Sequence, residues 1–308
     1  MTIRLWQLIC VILIVCFLPG TLTAVDIAEV AILKSAPLTI YDRSIQEFTA
    51  ALPKTTTTTE YNLQGDIVRG RQIAAKIRAS SVGLVLAVGA TAALAAKLEI
   101  FDTPVVYCMV LDPLTAGLTA PNVTGVSWQA PVELQLKKMH SLLPQRKRIG
   151  VLYDQRRTGG QVEEARRHAT EVGFDLITQA VHNEKEVPPA LRTLLSQVDV
   201  LWLLPDSTVL TEDSLRFFLG TALDANVPVI GFSVEQVRSG ALAASYVDYV
   251  DVGKQTAALA DALLRGGHQH LSSPLPPDRV RLALNLKTAR FLDISIPPEV
   301  KDQADLVY

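Results

Sequence analysis

Cysteine is scarce in this chain, and its placement is informative. Of three cysteines, Cys10 and Cys16 sit in an apolar N-terminal run, and neither follows the small residues of a lipoprotein cleavage site. Cys108 is left alone in the body of the chain, so no intrachain disulfide is expected there. Its flanks, Val-Val-Tyr before and Met-Val after, describe a buried core thiol, and apolar burial raises a thiol pKa away from nucleophilic use. Basic excess is missing too. The 29 Lys and Arg against 31 Asp and Glu give a formal charge of -2, and no run of like charges occurs. That removes the electrostatic footprint of a nucleic-acid binder. The marks of common catalysis are also absent: no G-x-G-x-x-G, no P-loop lysine, no G-x-S-x-G elbow and no H-E-x-x-H. The five histidines offer little. His140 and His168 fall on predicted helices among charged neighbours and read as surface, and His182 lies beside Asn183-Glu184. His268-Gln269-His270 has no third ligand near it in sequence. No cofactor and no metal are expected, and an enzyme is the minority reading.

What the chain does have is apolar bulk. Hydrophobic residues make up 49% and charged residues 19%, a composition that suits a well-buried globular protein. A length of 308 residues leaves room for two domains. The N-terminus is a separate object. Arg4 supplies a positive start, residues 5–18 are almost unbroken apolar, Pro19-Gly20 breaks the run, and Leu22-Thr23-Ala24 offers a small-residue cleavage site. This is a secretory signal pattern over residues 1–24, cleaved after Ala24, with export to the periplasm; an uncleaved anchor is the alternative.

The body of the chain repeats one unit, a strand, a polar tip and a helix. Residues 198–210, VDVLWLLPDSTVL, show it best. An apolar run stops at Pro205-Asp206-Ser207, and acids in the first turn of the next helix follow. A short apolar run bounded by turn formers reads as a strand buried on both faces, as in a parallel sheet. Further strands of this kind are predicted over 27–33, 82–88, 104–110, 148–153, 227–231 and 241–246, with helices between them. The threonine run 55–59 reads as a β-branched strand, Asp66 as a helix cap, and Trp202 as core. Residues 280–286 alternate and predict a half-exposed strand. The repetition breaks near residues 124–129 and begins again. The fold class is therefore α/β, with two Rossmann-like lobes built on parallel sheets and joined by a hinge. Lobe one spans 25–126 plus 245–275, and lobe two 127–244 plus 276–308.

Ligands of parallel sheets bind beyond the carboxyl ends of the strands, so the polar tips are the candidate site. These are Ser35, Ala90-Thr91, Asp112, Ser127, Tyr153-Asp154, Asp206-Ser207, Ser233 and Asp248, with Tyr41 on the first helix. Asp206 or Asp154 would hold an ammonium group, and Asp206, at a strand end, is expected outside the core. Backbone amides after Gly89 would hold a carboxylate. Tyr41, Tyr153, Trp128 and Phe232 would sandwich a flat or apolar side chain. That set complements a zwitterion. Each residue also has a plainer reading: Asp206, Thr91 and Asp248 as helix caps, Asp154 as a turn former, Ser127 and Trp128 as hinge packing.

Several long segments in one order resemble the ABC transporter substrate-binding family that includes tryptophan- and tyrosine-binding proteins. They include LVLAVGATAALAA (84–96), TPVVYCMVLDP (103–113), NVTGVSW (122–128), LLPQRKRIGVLYD (142–154), VDVLWLLPDSTV (198–209) and GALAASYVDYVDVGKQTA (240–257). The resemblance implies a periplasmic binding protein type I fold. It places Thr91 at the carboxylate end of the ligand, Asp206 on the second lobe's side of the cleft with Tyr153-Asp154 nearby, and Ser127 at a crossover. Tyr153-Asp154 stands where many members have Tyr-Asn. The implied function is capture of an amino acid-like ligand by hinge closure and its presentation to an ABC permease, by a monomer. A ligand-sensing module coupled to a membrane signalling protein and a two-lobed α/β transferase are the alternatives.

Overall fold

The structure is a computed structural model that describes residues 28–211, 214–266 and 274–308. The expected leader and His268-Gln269-His270 lie outside the described residues. The chain forms two α/β lobes, each around its own sheet. The first sheet contains β1 (Glu29–Lys34), β2 (Thr57–Asn62), β3 (Leu84–Val88), β4 (Val105–Val110) and β5 (Val123–Ser127), all parallel, in the order β2-β1-β3-β4-β5. The second contains β6 (Arg148–Tyr153), β7 (Asp175–Ala180), β8 (Val200–Trp202), β9 (Val229–Gly231), β10 (Ala243–Tyr246), β11 (Arg281–Leu284) and β12 (Leu306–Val307). Its order is β12-β11-β10-β9-β8-β6-β7, and only the β10–β11 pair is antiparallel.

Helices cover both faces of each sheet, which is why the strands read as continuous apolar runs. In the first lobe Ile32, Leu84, Leu86 and Val106 pack with α1 (Thr39–Ala51) and α9 (Tyr249–Leu264), while Leu33, Val85, Ala87 and Tyr107 face α2 (Ile67–Arg78) and α3 (Ala90–Glu99). In the second, Ile149, Val151, Val200 and Trp202 pack with α4 (Val132–Leu142) and α5 (Gly159–Val172). Leu152, Leu201 and Leu203 face α6 (Val187–Leu195) and α7 (Ser214–Asp224). Alternate residues thus enter opposite cores, the period of two that a strand imposes. Trp202 is core as expected, 1% exposed, and its indole N–H donates to Gln135 Oε1 at 3.3 Å. Cys108 is buried, and burial pushes its thiol up to about 12.

Several expectations need correction. A division at residue 244/245 would cut through β10, whose Ser245 and Tyr246 pair with Leu282 and Arg281 of β11; the chain leaves the second sheet only after Tyr246. The strand read as half-exposed over 280–286 is buried on both faces, with Leu282, Ala283 and Leu284 at 5%, 0% and 0% exposure, because β12 and the short α10 (Leu286–Phe291) close over it. The short α8 (Val234–Arg238), α11 (Pro298–Asp302) and β12 were not anticipated. Such short elements carry little periodicity of their own. His140 is half-buried rather than surface, with its ring edge-on to Phe174 at 5.5 Å.

The lobes are joined by three crossovers that hydrogen bonds lace together. Ser127 N donates to Leu275 O at 2.9 Å, Leu275 N to Gly125 O at 2.8 Å, and the Trp128 indole N–H to Val247 O at 2.9 Å. After the second crossover α9 returns to the first lobe and lies on α1. Gly253 permits that approach, since a Cβ there would fall 2.5 Å from Ser44 O.

Candidate functional site

Each sheet changes direction once along its order, and each switch point opens a crevice at the carboxyl ends of its strands. In the first lobe the switch lies between β1 and β3, and Ser35, Tyr41 and the start of α3 meet there. Gly89 turns the chain from β3 into α3 with φ +87. A Cβ on it would sit 2.7 Å from both Ser35 Oγ and Tyr41 Oη, so the position needs glycine for conformation and for space. Ser35 is 4% exposed, and its hydroxyl accepts from Ala92 N at 2.9 Å. Ser35 is therefore the side-chain cap of α3, contributed from a distant strand. Ala90 is exposed and Thr91 half-buried at the first turn of α3, where helix geometry provides their N–H groups with no intrahelical partner. The amino end of α3 is electropositive by its dipole. Tyr41 stands beside this end, its phenol raised by burial.

In the second lobe the switch lies between β6 and β8, and it is occupied by two carboxylates. Asp206 is 1% exposed and Asp154 0%. Asp206 Oδ2 accepts from Asp154 N at 2.8 Å and from Thr158 Oγ1 at 2.6 Å, while Oδ1 accepts from Thr208 N at 2.9 Å and Val209 N at 3.2 Å. Asp154 Oδ1 accepts from Arg156 N at 2.9 Å and Nε at 3.1 Å; Oδ2 accepts from Arg156 Nη2 at 2.8 Å and Thr208 Oγ1 at 2.9 Å. A carboxylate offers about four acceptor positions, and both are full. The Arg156 guanidinium holds the Asp154 carboxyl well below the usual carboxylate range, against the burial that alone would raise it, with help from Arg156 N and Thr208.

This corrects the expectation for Asp206 and Asp154 as freely offered ligands for an ammonium. Asp206 is core, and the two acids tie the loops after β6 and β8 together. Asp206 differs from Asp154 in one respect. Its donors are all neutral, and among the described residues no cation forms an ion pair with it. The members that sequence reading missed are Thr158, Thr208 and Arg156. Arg156 was the accessible one, since an Arg two residues after an Asp at a strand end can fold back on it.

The other candidates fall around the crossovers. Ser233 caps α8 in a capping box with Gln236, and Asp248 caps α9 through Val250 N at 2.8 Å. Both also line a cavity of about 720 Å³ between the lobes, walled by Ile40, Leu111, Trp128 and Phe232. Asp112 accepts from Thr115 N and Oγ1 at 3.0 and 2.7 Å, and Ser127 Oγ donates to Leu111 O at 3.4 Å. These two line a separate cavity of about 410 Å³ against Gln129 and Gln161. Ser207 is exposed at the rim of the second lobe, beside His182 and Arg157. Tyr153 is 7% exposed and belongs to the core of that lobe. The structure thus gathers Ser35, Tyr41, Ala90 and Thr91 at one switch point and Asp154 and Asp206 at the other. Ser233 and Asp248 share the larger cavity, Asp112 and Ser127 the smaller, and Ser207 stands apart. Among the described residues no group of three or more His, Cys, Asp or Glu is placed to hold a metal ion.

Comparison with known proteins bears on this geometry. Residues 51–308 match the family described as ABC transporter substrate binding protein. A tyrosine-binding protein of Clostridioides difficile (strain R20291) is 27% identical over 241 residues, covering 76% of this chain and 69% of that protein. Among solved structures, an ABC domain from Streptococcus pneumonia in complex with L-Trp superposes with a TM-score of 0.68 at 24% identity, covering 91% of this chain and 99% of that one. The ligand-free, open structure of a substrate-binding protein with adhesive properties from Clostridium difficile superposes with a TM-score of 0.77, at the same identity and coverage. The two solved structures speak to the fold.

Proposed function

The chain belongs to the ABC transporter substrate-binding protein family, and from that premise we propose that it captures a small amino acid-like ligand between its lobes. Hinge bending at the three crossovers closes the lobes on the ligand, and an ABC permease receives the closed form. The protein works as a monomer outside the cytoplasmic membrane, after loss of residues 1–24.

The observation that carries the reading is the opposite character of the two switch points. The amino end of α3, with Ala90 exposed and Thr91 half-buried, favours a carboxylate. At the switch point of the second lobe, Asp206 meets only neutral donors; it favours a positive group in the cleft through the field alone, without direct contact. A zwitterion satisfies both. The cavity of about 720 Å³ is lined by other residues of the two lobes, and its volume lies in the range of small-molecule sites. Trp128 uses its indole N–H on Val247 O, so what it offers the cavity is ring surface. With Phe232, Ile40 and Leu111 it makes a wall suited to a large apolar side chain. The names of the relatives, one tyrosine-binding and one holding L-Trp, agree with this.

Closure requires that the ligand bind the closed arrangement better than the open one. Thermal melting of residues 25–308 against L-tryptophan, L-tyrosine, smaller amino acids, purines, sugars and organic acids tests the reading. A ligand at about a hundred times its dissociation constant adds roughly 2.7 kcal/mol. We expect the aromatic amino acids to raise the melting temperature most. A shift with a sugar or an organic acid and none with any amino acid would overturn it.

A further inference from the structure

The cavity that carries Trp128 and Phe232 is also lined by charges from opposite lobes. Arg43 enters it from α1 of the first lobe, and Glu235 from α8 of the second. Arg43 is held on its own lobe: Nη1 donates to Tyr249 Oη at 2.8 Å, and the guanidinium lies 5.7 Å from the centre of the Tyr249 ring. That arrangement fixes the side chain while leaving most of its N–H groups unused. The neighbouring cation Arg238 is fixed in the same way on the second lobe, with Nε donating to Tyr308 Oη at 3.0 Å and the guanidinium 5.5 Å from that ring. Glu235 is exposed at the second position of α8; among the described residues its carboxylate forms no ion pair, and its field adds only slightly to the Tyr308 hydrogen bond that raises the Arg238 guanidinium on the same helix.

We propose that Arg43 and Glu235 form an ion pair across the mouth of this cavity when the lobes close, and so determine how tightly the closed form holds its ligand. The inference rests on the hinge-closing reading above and adds two residues to it, neither of which needs to touch the ligand. Arg43 is already oriented, so closure orders one new side chain rather than two, and less entropy opposes the contact. The two charges line one cavity from opposite lobes, so closure is the movement that brings them together. The pair stays near solvent, so its effect is modest and sensitive to salt.

The first test needs no ligand. In the chain carrying Arg43→Cys and Glu235→Cys, the remaining mature cysteine, Cys108, is buried, so mild oxidation reports the introduced pair. The control chain carries Thr49→Cys and Glu235→Cys, Thr49 being exposed further along α1. We expect peptide mass maps to show the 43–235 disulfide forming several times faster than the 49–235 disulfide of the control. Equal or slower formation overturns the proposed approach of the two side chains, whatever the ligand proves to be. The second test measures L-tyrosine affinity by calorimetry for Arg43→Glu, Glu235→Arg and both together. Each single reversal should weaken binding about two- to five-fold at low salt, the scale of an exposed pair, and the double reversal should restore it. If the double variant shows the two losses added, the pair does not form. If the parent itself ignores L-tyrosine, the ligand assignment falls, and the cross-link alone decides the pair.

Discussion

The switch point of the first lobe is built by the backbone, and that of the second by side chains buried beneath it. The sheets offer the same position, between the first and third strands of each lobe. The first lobe furnishes it with a glycine turn, a helix end and a serine that caps that helix from another strand. The second furnishes it with two buried carboxylates that bind together the loops after β6 and β8. One surface is shaped by conformation, the other by a hydrogen-bond network, and the two differ in what a mutation can damage. A network fails through donors left buried and unsatisfied, whereas a turn fails through strain.

The largest effect should therefore come from the second lobe. Asp206→Ala strips acceptors from Asp154 N, Thr158 Oγ1 and the amides of Thr208 and Val209, all buried except the half-buried Thr208. At about 1–3 kcal/mol for each donor left unsatisfied, and with water reaching some of them, the loss should be roughly 3–5 kcal/mol. Urea unfolding of parent and variant measures it. A loss under about 1 kcal/mol would mean that the network is loose and that Asp206 is available to a ligand after all.

Gly89→Ala tests the first lobe and should cost less, about 2–4 kcal/mol. It sums a left-handed conformation at about 1–2 kcal/mol and crowding against Ser35 and the half-buried Tyr41 at about 1–2 kcal/mol, the low part of the overpacking range. If the variant unfolds like the parent, the turn is not held by Gly89, and the contrast between the lobes loses its physical basis.

How much of this contrast was visible in the sequence depends on how far each partner lies along the chain. The strands announced themselves because both faces are buried, and apolar runs such as 84–88 and 148–153 need no knowledge of their neighbours. The break near residues 124–129 showed where the first sheet ends. Asp66 was legible as a cap because it accepts from Val68 N and Arg69 N within its own first turn. Ser35 was not, because the amide it caps is 57 positions away. The same holds for Asp206: its place at a strand end could be read, but its saturation rests on Asp154 N and Thr158 Oγ1, which lie 52 and 48 positions away. Sequence reasoning thus found the tips and misjudged which were free.

Acid should weaken the carboxylate network of the second lobe. The folded pKa of Asp154 is depressed by Arg156, so its contribution is fully present above the ordinary aspartate value of about 3.9 and is lost as the pH falls below it. Asp199, on the same lobe, is held down to about 2 by Arg148 and acts between about 4 and about 2. Asp154→Asn should therefore be less stable than the parent at pH 7, and the gap should narrow as the pH drops below about 4. Denaturant midpoints at pH 7, 4 and 3 follow it. A gap that stays constant down to pH 3 would show that the Asp154 charge contributes nothing and that its oxygens matter only as acceptors.

The smallest effect sharpens the comparison most. Ser35→Ala removes one cap hydrogen bond, to Ala92 N, at a helix that keeps its packing. Losing a side-chain cap costs about 0.5–2 kcal/mol, well below the figure for Asp206→Ala, although both residues sit at a switch point and both are buried. Its effect on ligand should run the other way. A freed amide at the amino end of α3 adds a donor near the place proposed for the ligand's carboxylate, and no charge is removed. Ser35→Ala should thus lower stability slightly and leave affinity for an amino acid within about three-fold of the parent, a change of under about 1 kcal/mol. Loss of binding in a folded Ser35→Ala protein would mean that the serine hydroxyl itself touches the ligand, and that the first lobe recognises it through a side chain as well as through the backbone.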